Sequence, residues 1–268
     1  MSIITISRGS YSHGRDVAEK LAQQLGYECI SREVILEASE QFNIPQLRLL
    51  RAMRDAPSIL DRYRFGKERY VAYVRAALLR HVQGGNVVYH GFAGHFFLQQ
   101  IPFVLNVRIL ADAEDRIQEL IRREGASADE ARRILERIDE ERSKWSQHLY
   151  GIDTWDPTPY DMVLNLRSLS VDDAVKLIAR NVELPAFQST PETRKILDNH
   201  VLAAQVEAAL IAEFPQAKAS AKDGNVFVAI HGSMSQQRAL TDKARDLASF
   251  VEGTKQVNVH FVPLMTAD

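Results

Sequence analysis

Cysteine, net charge and long apolar runs are all scarce in this chain. Cys29 is the single cysteine, so no disulfide forms within the chain and no cysteine-built zinc cluster exists, which suits a reducing, cytoplasmic setting. Lys and Arg total 33 against 35 Asp and Glu. That balance excludes whole-molecule steering toward nucleic acid or an anionic membrane and leaves only local basic patches. No apolar stretch approaches the roughly 20 residues that span a bilayer. Ile3-Ile4-Thr5-Ile6 begins too soon, with no basic segment before it, to act as a signal peptide. What remains is a chain of 268 residues, 46% hydrophobic and 25% charged, which suits two globular domains with a core each.

Ile3 to Ser7 is a β-branched run. A glycine-containing stretch follows, and Val17, Leu21, Ala22 and Leu25 then recur at helical spacing until Gly26 stops them. Tyr27 to Ile30 reads as a second strand, Arg32 to Glu40 as a helix, and Pro45 to Gln83 as a basic helical region. Val87 to Tyr89 and Val104 to Leu110 are apolar runs of the kind a parallel sheet buries on both faces, and their alternation with helices predicts βαβ units. Ser127-Ala-Asp-Glu130 is a capping box that opens a long charged helix reaching about His148. Met162 to Leu166 reads as the last strand of this set, and Ser170 caps a helix ending near Val182. Pro185 and Pro191 bracket an aperiodic linker, 185–191. Beyond it the pattern is a helix, a weak strand, an Asp223-Gly224 turn, a strand, a helix and a strand, in the order αββαβ.

Between the first strand and the first helix lie Gly9, Ser10, Tyr11, Ser12, His13 and Gly14, followed by Arg15 and Asp16. The glycine spacing is that of a phosphate-binding loop, which then calls for Lys and for Ser or Thr. Backbone N–H groups between the two glycines, together with the positive end of the following helix, make an anion cradle. Arg15 offers planar donors in place of the lysine, and Asp16 is a candidate Mg²⁺ ligand, directly or through water. A tight turn that needs glycines explains the same spacing without any ligand. Strand before and helix after favour the cradle.

The stretch ITISRGSYSHGRDVAEKLAQQLGYECISREVI resembles the opening of the cytidylate kinase-like P-loop proteins, and the resemblance continues through REGASADEARRILERIDEERSKW and DTWDPTPYDMVLNLRSLSVDDAVKLI. It covers most of residues 1–183. It implies a nucleoside monophosphate kinase fold, with ATP as donor of the γ-phosphoryl, Mg²⁺ as cofactor and a nucleotide monophosphate as acceptor. It assigns Arg142 to phosphate binding on a lid helix that also carries Arg133 and Arg137, Asp139 to orienting Arg142, and Arg116 to the neighbourhood of the base. Arg32 and Glu33 match the family on the acceptor side. Ordinary i,i+4 pairs on a solvated helix are the alternative for the lid charges.

Two departures bear on activity. Phe92 stands where the family carries an arginine, and Ser31 where it often carries Asp. Either another arginine serves or the acceptor is different or absent. Arg48, Arg51, Arg54, Arg62, Arg64, Lys67, Arg69 and Arg75 are candidates; with Tyr63, Tyr70 and Tyr73 interleaved, the same region also fits nucleic acid, ranked last because aromatics at helical spacing pack in cores. His90 and His95 lack the spacing and neighbours of a metal site.

Residues 192–264 resemble a BON domain through DGNVFVAIHGSMSQQRALTDKARDLASFVEGTKQVNVHFVPL, which implies binding of a ligand or a protein partner; a generic α+β appendage that pairs with a second copy of the chain is the alternative. The expectation is therefore an α/β chain: a three-layer P-loop domain with a parallel sheet and helical lid over 1–184, a linker over 185–191 and a small α+β domain over 192–268. A kinase-like enzyme, a nucleotide-binding regulator without acceptor chemistry, and a nucleic-acid or interaction protein are the readings in order.

Overall fold

A computed structural model describes residues 1–31, 33–42, 66–91, 94–151, 153 and 156–264. Arg32, Phe92 and the segment 43–65, with Arg48, Arg51, Arg54, Arg62, Arg64 and Tyr63, lie outside these residues, as do the side chains of Glu33 and Lys67. By compactness the chain forms two units, which among the described residues comprise 1–34 with 84–190, and 35–42 with 66–83 and 191–264.

The first unit is built on the strands β1 (Ile3–Arg8), β2 (Glu28–Ile30), β3 (Val87–Tyr89), β4 (Val104–Leu110) and β5 (Met162–Asn165). They pair in the order β2-β3-β1-β4-β5, all parallel, as the apolar runs predict. β1 is central, and Ile3, Ile4 and Ile6 are buried. Thr5, also buried, is satisfied by donating to Asn106 Oδ1 at 2.7 Å. In register, Ser7 of β1 stands across from Arg108 of β4.

The helices α1 (Gly14–Leu25), α2 (Glu33–Gln41), α3 (Gly66–Val82), α4 (Gly94–Phe97), α5 (Ala113–Glu124), α6 (Ala128–Tyr150) and α7 (Val171–Val182) follow in chain order. The first helix buries Val17, Ala18, Leu21 and Ala22 in the sheet core, beside Ala174, Val175 and Ile178 of α7. It ends at Gly26, whose φ of 67° places its N–H on the last carbonyls. α5 and α6 form the helical lid, with a small core of their own made by Ile117, Leu120, Ala131 and Leu135. Ser127 caps α6 by accepting from the Glu130 N–H. The 185–191 stretch holds a turn of 3-10 helix at Pro185–Phe187, and its Ser189 N–H donates to the Met1 carbonyl at 2.9 Å.

The second unit contains α8 (Pro191–Leu210), β6 (Lys218–Lys222), β7 (Asn225–Gly232), α9 (Gln237–Ser249) and β8 (Gln256–Pro263), the αββαβ order read from the sequence. β6 and β7 are antiparallel about Asp223 and Gly224, both at positive φ, and β7 and β8 are parallel. Leu202, Val206, Val226, Val228, Ile230 and Ala244 form its core. α3 belongs to this unit. Arg75 pairs with the buried Glu207 at 2.7 Å, and Gln205 donates to the Ala76 carbonyl at 3.0 Å. Tyr70 is buried, and the half-buried Tyr73 sets its ring 4.5 Å from that of Phe42, so both tyrosines pack against their own unit. No helix among the described residues is long and apolar enough to cross a membrane.

Candidate functional site

The chain leaves β1 at Arg8 and enters α1 at Gly14. Between them the left-handed positions fall on Tyr11 (φ 58°) and His13 (φ 57°), whereas Gly9 and Gly14 have ordinary φ. Close approach requires a glycine at Gly14 instead, where a Cβ would lie 2.6 Å from the Arg8 side chain, whereas a Cβ on Gly9 would make only ordinary contact with the Arg116 guanidinium. Tyr11 tolerates its backbone because its ring packs on the lid core and its hydroxyl donates to Glu124 at 3.2 Å. Ser12 turns its hydroxyl back onto the Gly9 carbonyl at 2.9 Å.

Among the described residues, the backbone–backbone hydrogen bonds outside helices and strands include none donated by Ser10, Tyr11, Ser12 or His13. His13 gives α1 no side-chain cap. Free amides and an uncapped helix start therefore meet in one bend, the arrangement that attracts an anion.

Arginines close on this bend, but Arg15 is not among them. Its Nε donates to Glu19 one helical turn along α1 at 2.7 Å, and its side chain is 59% exposed. Arg116 donates to the Ser10 carbonyl at 2.8 Å and forks onto Asp139 at 2.8 Å for each bond. Arg142 donates to the Arg8 carbonyl at 2.7 Å. Burial, and then the charge of Arg8, lowers the Arg142 guanidinium to about 10, with Arg108 and Arg116 acting the same way and Asp139 opposing. Asp139 thus holds Arg116 directly and acts on Arg142 by charge. Arg133 and Arg137 are exposed on α6.

Asp16 places Oδ2 at 3.1 Å from His13 Nδ1 and 3.5 Å from Arg123. Buried Glu119 anchors both Arg122 and Arg123, and the bond from Arg122 above all, despite desolvation, holds its carboxyl down to about 2. Among the described residues no group of three or more His, Cys, Asp or Glu is arranged to hold a metal. The single carboxylate of Asp16 fits Mg²⁺, which takes most of its ligands from phosphate and water. A cavity of about 390 Å³ opens beside His13, lined also by Asp115, Gln118, Arg122, Leu166 and Arg167. Arg167 at its rim forks onto Asp112 at 2.7 and 3.1 Å.

A second polar cluster was not anticipated from the sequence. Arg108 donates to Ser7 Oγ at 2.7 Å, Tyr160 donates to the same oxygen at 3.1 Å, and His95 Nε2 lies 3.1 Å from the Tyr160 hydroxyl. The one sequence signal was a cation interrupting an apolar strand run at Arg108. Gly91 and Gly94 exist for Tyr89, whose ring a Cβ on either would overlap.

Two curated relatives are similar to most of this chain. The cytidylate kinase of Ignicoccus hospitalis is 27% identical over 183 residues, 67% of this chain and 98% of the relative. That of Methanopyrus kandleri is 24% identical over 194 residues, 68% of this chain and 93% of the relative. A crystal structure of an uncharacterized protein from Eubacterium ventriosum superposes with a TM-score of 0.50 at 19% identity, covering 69% of this chain and 99% of that one, a likeness of fold. Residues 3–168, which carry the open bend, the arginines and the lid, match the model of the cytidylate kinase-like family, and the chain belongs to that family.

Proposed function

We propose that this chain is an ATP-dependent phosphotransferase of the nucleoside monophosphate kinase kind. The observation that supports it most is the bend at residues 9–14, where amides without protein acceptors lie beside Arg116 and Arg142. Burial above all, and then the charge of Arg8, lowers the Arg142 guanidinium, with Asp139 as the one carboxylate opposing, so the bend is short of negative charge. A polyphosphate supplies it. The amides hold the donor phosphates, and Arg116 and Arg142 stabilise charge that spreads over the transferred group. Mg²⁺ on Asp16 would add charge neutralisation between phosphate oxygens. The cavity beside His13 receives the donor nucleoside, with Asp115 and Gln118 as hydrogen-bonding groups. The name carried by both relatives makes CMP the first acceptor to try.

ADP formation from ATP and Mg²⁺ across a panel of nucleoside monophosphates tests this reading. Acceptor-dependent turnover supports it; ATP binding with no turnover on any acceptor supports a nucleotide-binding regulator instead. The pairing of Arg15 with Glu19, away from the lysine's role, is the observation that favours the regulator. In either case we assign the second unit, BON-like on its sequence, to binding a ligand, another protein or a second copy of the chain, and the whole to the cytoplasm.

A further inference from the structure

Two sets of groups, each anchored on its own partners, bring cations to the carboxyl ends of the central strands. One belongs to the bend: Arg116 and Arg142 are anchored on the carbonyls of Ser10 and Arg8. The other is built on the sheet. Arg108 stands across from Ser7 in register and donates NH1 to the Ser7 hydroxyl oxygen at 2.7 Å. Tyr160, shortly before β5, donates to that oxygen at 3.1 Å and sets its ring centre 5.8 Å from the Arg108 guanidinium carbon. His95 backs Tyr160 at 3.1 Å, with the two rings 4.8 Å apart.

The direction of the protons follows. His95 is buried and neutral, pushed down to about 3 by desolvation first and by the Arg108 charge second. A neutral imidazole has one N–H. Because the Tyr160 proton goes to Ser7, the His95 proton sits on Nε2 and goes to Tyr160. Ser7 Oγ then accepts from both Tyr160 and Arg108, and its own proton is available to a ligand. Among the described residues no carboxylate pairs with Arg108, and its hydrogen bonding is limited to NH1 on Ser7. A guanidinium with spare N–H groups beside a hydroxyl donor matches the oxygens of a phosphate monoester.

We propose that Arg108 and Ser7 form a second anion subsite that binds the phosphate of the acceptor, with Tyr160 and His95 as positioning residues. In-line transfer brings two charged phosphates face to face, and the cradle at the bend serves only one of them. Naming the ligand an acceptor rests on the phosphotransferase reading; the subsite itself is tested without it.

The probe is inorganic phosphate, measured by equilibrium dialysis on the full chain with and without AMP-PNP, a non-hydrolysable ATP analogue. Wild type is expected to bind phosphate with the analogue present. Arg108→Met is expected to weaken phosphate about tenfold or more while leaving AMP-PNP affinity within about twofold. Tyr160→Phe is expected to weaken phosphate about threefold with the analogue again unaffected, a split that loss of fold does not produce. Should Arg108→Met fail to fold, Arg108→Lys and Ser7→Ala carry the same comparison. Phosphate binding that survives these changes overturns the subsite. An equal loss of AMP-PNP affinity overturns it too, by moving Arg108 into the donor cradle. If wild type fails to bind AMP-PNP, the phosphotransferase reading falls, and the phosphate titration without analogue still decides the subsite by the same variants.

Discussion

Two helices of the first unit begin in opposite ways. α7 starts at Ser170, whose hydroxyl accepts from the Asp173 N–H at 3.1 Å while Asp173 accepts from the Ser170 N–H at 3.2 Å. α1 starts at His13 with no such bond. Every helix start exposes N–H groups that need acceptors, and the chain supplies its own acceptor at α7 but withholds it at α1. The closed start satisfies its own amides; the open one has no cap bond, and among the described residues its loop amides donate to no backbone carbonyl. The same contrast runs through the charges, since Asp112 is matched by one arginine while Arg142 has three arginine neighbours and one carboxylate.

Removing the cation that most needs an anion breaks the contrast hardest. Arg142→Ala is expected to lower phosphoryl-transfer turnover by about 100- to 1000-fold with little change in melting temperature, measured by ADP release and thermal unfolding. Next in size is to give α1 the cap it lacks: His13→Asp places a carboxylate at the open start and is expected to weaken ATP about tenfold while raising stability slightly, as read by calorimetry and thermal melts. Ser170→Ala opens the closed start, costs about 1 kcal/mol in denaturant unfolding and leaves ATP affinity unchanged. Comparable in size, Glu119→Gln is expected to cost about 1 kcal/mol at neutral pH. Because the folded carboxyl of Glu119 is depressed to about 2 from 4.5, its contribution is complete above 4.5 and fades as pH falls toward 2. Wild type and variant should therefore converge in stability over that window, as unfolding curves at several pH values would show.

The sheet was legible because Ile3-Ile4-Thr5-Ile6 and Val104 to Leu110 are runs that only a strand buried on both faces explains. The bend was legible from its strand and helix flanks. Its inner workings were not: the left-handed residues are Tyr11 and His13, which carry no glycine signal, and tertiary packing on the lid rather than propensity holds Tyr11 there. The Arg15 partner was hidden for a related reason, since Glu19 four residues on offers a pairing that a loop-based reading does not weigh. Arg108, Ser7 and Tyr160 meet through strand register and a separation of 153 residues between Ser7 and Tyr160, which local spacing does not reveal.

Arg75 and Glu207 are 132 residues apart along the chain. As the polypeptide leaves the ribosome, α3 is made early and then waits for α8, with the whole β3 to α7 segment synthesised in between. The second unit therefore completes only after the first unit's last strand and helix have been made, and a copy ending at the linker would present α3 with its mate missing.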